Sequence, residues 1–362
     1  MLWRLAVLGD RRNVAIEVEC CVMLKRSIRR VLVARIAMLI TALWLFASSA
    51  CFAQSSGGAT APSIPTAATH SAFPPEAHES LDALYRGDAE AAIAIARRME
   101  TARSEYPLGF LLEAEAQWWR IYCGALEFKW NQIDVGHRES LPGDNAYLAL
   151  ADKVTELADS QLRVKETAEM HLYAGMGYVL RVRMLGIRKE NRATAKAAVK
   201  ARTHLMRALE MDPSLTDAKT GVGLYNYYVD TLSGIARILR AFMGLPAGDK
   251  KLGVAQMEDA MVHGELTGVD ARFYLAKNLR SYDQEYERAL KIMEPLAEQY
   301  PQNPIFPLFI GNLNALLARN ERATANYHAA ENLTAALPAS EGACKGRLEL
   351  LAKEGLGIIK AR

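Results

Sequence analysis

Small and bulky side chains return in register along this chain every 34 to 36 residues. Ala289, Met293 and Leu296 form a small–large–apolar set at offsets of four and seven, which places all three on one face of an α-helix. Ala323, Tyr327 and Ala330 repeat the set 34 residues later, and Gly253, Met257 and Ala260 precede it by 36. Ala201, Leu205 and Ala208 carry the same offsets. Pro301 stands 12 residues after Ala289, and Pro213 stands 12 after Ala201. A helix running into either must stop there, because proline has no N–H and its ring clashes with the preceding turn. Ten residues past each proline comes a glycine, Gly223 or Gly311. A chain written this way folds as antiparallel helical hairpins, each burying against its neighbour a face that it cannot cover alone.

Other punctuation agrees. Gly87-Asp88-Ala89-Glu90-Ala91-Ala92 has the form of a turn into the second helix of a hairpin, and Tyr106-Pro107 closes that helix. Asp212-Pro213-Ser214 and Asn303-Pro304 supply capping chemistry between helices. Over residues 76–335 the register resembles the tetratricopeptide-repeat superfamily. The resemblance implies an all-α fold, an α-α superhelix of five or six helix pairs. No repeat holds the full consensus: the Trp expected on the first helix is missing at most positions, and several small-residue sites are replaced. A helical bundle without repeats is the competing architecture.

Two irregular insertions interrupt the array. Residues 124–143 (GALEFKWNQIDVGHRESLPG) form a longer connection between helices, and residues 230–251 (DTLSGIARILRAFMGLPAGDKK) separate the helix of Gly223 from that of Gly253. In the second insertion Ile235, Ile238, Leu239, Phe242 and Met243 share one helical face, with Arg237 and Arg240 on the other. The block from Gly221 to Tyr228, followed by this insertion, Gly248-Asp249 and Gly253, resembles a eukaryotic tetratricopeptide family linked with lipid-droplet and inclusion clearance at the mitochondrial outer membrane. That likeness covers about 45 residues and implies only the helical-repeat fold.

The front of the chain has a different character. Residues 1–53 carry eight basic and three acidic side chains, so the body behind them is slightly acidic although the whole chain is +3. An acidic body leaves no electrostatic footprint for nucleic acid. Lys25-Arg26 and Arg29-Arg30 precede an apolar run, Ile36 to Ala47, of signal-peptide rather than bilayer-spanning length. Cleavage is expected after Ala53, with a second site after Ala50, and Met23 is the expected start. An uncleaved anchor is the alternative. Lipidation at Cys51 is disfavoured by Ser48 three residues before it, and Arg29-Arg30 matches a twin-arginine signal only weakly. The expectation is therefore an exported, periplasmic or envelope-associated protein. Residues 54–75, rich in Ala, Ser, Pro and Thr, read as a flexible linker, and residues 76–362 as the repeat domain. Beyond the cut only Cys123 and Cys344 remain, 221 residues apart. In an extended stack such positions lie far from one another, so two free buried thiols are expected. No alternating run reads as a β-strand.

No catalytic constellation emerges. The seven histidines are scattered without metal-ligand spacing, Gly221-x-Gly223 lacks the rest of a phosphate-binding loop, and Glu113 and Glu115 point to different helix faces. The expectation is a non-catalytic scaffold with no cofactor and no metal, holding a partner protein or peptide in the concave face of the superhelix. Counting from Gly223 and Gly311, the groove-facing candidates are Asp217, Thr220, Tyr227, Asn312 and Ala315, joined by Lys277 and Arg280 from the repeat between. Tyr225, Tyr227 and Tyr228 serve equally well as core filling. One of Trp118 and Trp119 must face away from the core of a regular helix, either into the groove or under the 124–143 connection. Residues 230–248 are either a lid over the solenoid's own apolar surface or an interfacial helix touching a membrane, with Ile235, Ile238, Leu239 and Phe242 as the contact. The alternative function is accordingly a membrane-associated envelope-assembly or lipid-handling factor.

Overall fold

The computed structural model describes residues 72–129, 132–135, 140–141, 143–231 and 244–361. Of the two compact units into which the chain divides, 1–68 and 69–362, only the second contains described residues. The signal region, the linker up to residue 71 and insert residues 232–243 lie outside them.

Thirteen α-helices make up the described body. Six hairpins pair α1 (Pro75–Tyr85) with α2 (Ala89–Ala102), α3 (Pro107–Ala125) with α4 (Gly143–Val164), α5 (Ala168–Ile187) with α6 (Asn191–Met211), α7 (Asp217–Asp230) with α8 (Lys250–His263), α9 (Gly268–Asn278) with α10 (Tyr286–Gln299), and α11 (Ile305–Leu316) with α12 (Asn320–Ala335). Helix α13 (Gly342–Lys360) caps the array. The fold is an all-α superhelix. Pro75, Pro107 and Asp88 begin helices as their chemistry dictates: the prolines occupy first-turn positions, and the Asp88 carboxylate accepts from the Ala91 N–H at 2.9 Å.

The repeat register is real in three dimensions. Ala289, Met293 and Leu296 on α10 and Ala323, Tyr327 and Ala330 on α12 are all buried, as are Ala201, Leu205 and Ala208 on α6. Each set faces the partner helix of its own hairpin. Gly311 abuts the Tyr327 ring and the Ala323 carbonyl, while Gly223 and Gly253 bring the backbones of α7 and α8 together. A Cβ on Gly253 would lie 2.6 Å from the Gly223 carbonyl oxygen. Gly253→Leu is therefore expected to cost about 1–3 kcal/mol by overpacking, whereas Leu252→Ala next to it, half exposed, should change stability by under about 0.5 kcal/mol. Urea titrations of the two variants make the comparison, and equal midpoints would contradict it.

The turns inside four hairpins share a device that the sequence conceals. Gly87, Lys189, Gln284 and Ala318 all have positive φ between the two helices of a pair. At Gly87, Lys189 and Ala318 two successive N–H groups bond back into the end of the first helix, which satisfies carbonyls left over at its terminus. Only one of the four is glycine.

Two expectations need correction. The 124–143 connection contains a β-hairpin, β1 (Leu126–Lys129) with β2 (Gln132–Val135), antiparallel with Leu126 opposite Val135. Cys123 and Cys344 are joined in a disulfide, with Cα atoms 4.9 Å apart. The array does not run on as an open stack: α13 folds back onto α3, so chain ends far apart in sequence become neighbours. The N-terminal hairpin likewise meets later repeats. Asn303 Nδ2 donates to the Tyr85 carbonyl at 2.8 Å, and His78 pairs with Glu265 at 3.3 Å.

Candidate binding cleft

The positions expected to line a concave groove are interior. Asp217, Thr220, Tyr227, Arg280, Asn312 and Ala315 are all buried, and only Lys277 is partly exposed. Each has a structural task. The Asp217 carboxylate accepts from the N–H groups of Glu265, Leu266 and Thr267, tying α7 to the loop before α9, and burial raises its pKa against those hydrogen bonds. Thr220 bonds the Thr267 hydroxyl at 2.8 Å. Tyr227 donates to Asp283 at 2.8 Å. Arg280 lies on a π-helical turn, Leu279–Asp283, where it donates to Asn312 Oδ1 at 2.7 Å; burial lowers its pKa to about 10. Ile235, Ile238, Leu239 and Phe242 lie outside the described residues.

Much of the inner surface of the array is packed by the chain's own side chains. Thirteen of the 19 residues of α3 are buried, more than one apolar stripe would cover. Both tryptophans belong to the core, contrary to the expectation that one would face away from it. Trp119 packs on Phe273 with ring centroids 5.0 Å apart and donates to Asp270, and Trp118 donates to the Tyr274 hydroxyl at 2.9 Å.

Charge is buried with them. Arg183 of α5 donates to Glu115 of α3 at 2.7 Å and to Asp270 of α9 at 2.9 Å, and its guanidinium lies over the rings of Trp118 and Tyr274. Glu113, two residues from Glu115, instead meets Arg97 of α2 through a two-pronged pair at 2.8 and 3.2 Å. The two glutamates do face apart. What sequence reading missed is that Asp270, far along the chain, comes to the same cation as Glu115; no local spacing encodes that meeting. Carboxylates engaged around a permanently charged guanidinium tie three helices together.

Open surface with concave shape lies elsewhere. A cleft of about 880 Å³ is bounded by α2, α3, the start of β1, the start of α4 and the first turns of α13. Ile93, Ile121 and Ala125 give it apolar wall, and Leu141 stands on its edge, 54% exposed. Three guanidiniums frame it: Arg97, Arg120 and Arg347. Each is pinned from behind, Arg97 by Glu113, Arg120 by Glu341 at 2.9 Å and the Ser340 carbonyl, Arg347 by the Leu126 carbonyl. Pinned guanidiniums lose little freedom on meeting a ligand. Among the described lining residues there is no Ser, Cys or His to serve as nucleophile or base.

No family model and no curated protein matches the chain. Similar solved structures include the C-terminal part of a TPR repeat-containing protein from Cytophaga hutchinsonii, at 15% identity over 72% of this chain and 79% of that one, with a TM-score of 0.32. Yeast Tom70 is 11% identical over 78% of this chain and 80% of its own, with a TM-score of 0.29. Likeness this distant adds nothing to what the helices themselves establish.

Of the cleft's parts, only the 124–143 insertion was marked in the sequence as irregular. Arg97 and Arg120 stand on neighbouring helices α2 and α3, whereas Arg347 carries no local signal because it joins them only through the return of α13.

Proposed function

We propose that this protein is an exported, non-catalytic scaffold that holds a segment of another protein in the cleft between α2, α3 and α13. One observation carries the reading: the positions expected to line the groove are buried within the chain, while this cleft is open and combines apolar wall with pre-positioned arginines. Apolar side chains anchored among fixed polar groups are the usual basis of peptide recognition. The arginines favour a segment that brings carboxylates or backbone carbonyls to the rim. Export is supported by the cysteines. Two remain beyond the expected cut, and they are bonded to each other, a pairing that persists in oxidising compartments.

A photo-crosslinking residue at Leu141 tests the reading, with one at Val262, 64% exposed and outside the cleft lining, as control. Leu141 should capture a discrete partner that Val262 does not. Ile121→Arg, which fills the cleft from a partly exposed position, should lower that capture by at least about tenfold, equivalent to roughly 1.4 kcal/mol, while circular dichroism stays unchanged. Equal capture from both positions, or capture indifferent to Ile121→Arg, would refute the assignment.

A further inference from the structure

We infer that the Cys123–Cys344 bridge is a redox latch on the wall of this cleft, an inference that rests on the cleft being the binding surface. The cysteines sit immediately behind it. Gly124 and Ala343, the residues following Cys123 and preceding Cys344, both line the cleft, and a Cβ on Gly124 would lie 3.5 Å from that of Ala343. The bridge therefore sets the distance between the two helices that form this wall.

The two parts of α13 are held by different forces. From Leu348 onward the helix is packed: Leu348, Leu351 and Ala352 are buried, and Gly355 lies against the Tyr327 ring of α12. At its start the helix is joined to α3 and β1 by the bridge and by polar contacts, Arg120 with Glu341 and Arg347 with the Leu126 carbonyl. Polar contacts made by partly exposed arginines hold little by themselves. Without the covalent link residues 342–347, of which only Cys344 is buried, detach from the cleft with Ala343 and Arg347 while the helix from Leu348 onward stays docked.

Cys344 is the less buried of the two cysteines. Cys344 is 9% exposed and Cys123 1%, and a small cavity of about 40 Å³ touches both. A protein or small-molecule dithiol supplies the reductant. Its thiolate attacks Cys344 Sγ, Cys123 leaves as a thiolate, and the donor's second thiolate resolves the mixed disulfide. Two electrons and two protons end on the cysteines, and the donor becomes the disulfide.

Hydrogen–deuterium exchange of the full chain decides the matter, comparing the oxidised protein, the dithiothreitol-reduced protein and the C123A/C344A double variant. At labelling times short against global unfolding, amides of residues 342–350 should exchange about tenfold faster without the bridge, while those of α12 and residues 351–360 keep their protection. Capture through Leu141 should fall in parallel. Unchanged exchange at 342–350, or a uniform rise over the whole chain, overturns the latch. Exchange that responds while capture stays equal in both states refutes control of binding and leaves the cleft reading intact. Absence of capture in either state refutes the cleft reading, whereas exchange still decides whether the helix is latched.

Discussion

Replacing Arg183 with Met should destabilise the fold by about 3–5 kcal/mol, the cost of removing one partner from a buried ion group. Glu115 and Asp270 would then share the interior without the cation that both contact. Burial already lifts Glu115 to about 7 with Arg183 beside it. A carboxylate held above its ordinary value binds its proton more tightly in the fold than in the unfolded chain. Its ionisation therefore subtracts from stability as pH rises from about 4.5 through 7, and the penalty is absent below that window. Taking away Arg183 removes an influence that lowers Glu115, so the penalty grows in the variant. The deficit of Arg183→Met relative to the unaltered protein should be largest near pH 8 and shrink by pH 5. Guanidinium titrations at both pH values measure it. A deficit below about 1 kcal/mol, or one that widens on acidification, would show that the interior there is wetter than its burial implies.

Breaking the Cys123–Cys344 bridge should lower global stability by about 5 kcal/mol in the chain-entropy picture, because it closes a span of 221 residues. For a domain of this size that is a fall of roughly 10–15 °C in melting temperature. Calorimetry with and without a phosphine reductant provides the number, with C123A/C344A separating loss of the link from side effects of the reagent. The domain should remain folded at ambient temperature, since the repeat interfaces are independent of the bridge. A melting temperature indifferent to reductant would mean that the closure of α13 on α3 is already complete without it.

How much of this was legible beforehand varies by element. The hairpin register was, because Ala289 and Ala323 must both be small wherever helices of one pair cross, and a requirement that recurs at each crossing repeats in the sequence. Pro75 and Pro107 read in the sequence as the end of the linker and the end of a helix, and the structure shows that each opens a helix instead. Lys189, Gln284 and Ala318 were not legible: the left-handed turns they occupy are secured by hydrogen bonds to the preceding helix, which outweigh a residue preference of about 1–2 kcal/mol. The groove candidates failed on a different ground. Asp217, Thr220 and Tyr227, counted from Gly223, meet other parts of the same chain instead of solvent.

Taken alone, the order of residues determined an α-helical hairpin array, its phase and the places where it breaks, because each depends on side chains within one hairpin. Tertiary structure decided that the array closes on α3, that Glu115 and Asp270 share Arg183, that Cys123 finds Cys344, and that the open cleft lies outside the groove. These meetings depend on the accumulated rotation of six hairpins, in which a small change at any interface displaces the last helix, and no short stretch of residues records that sum.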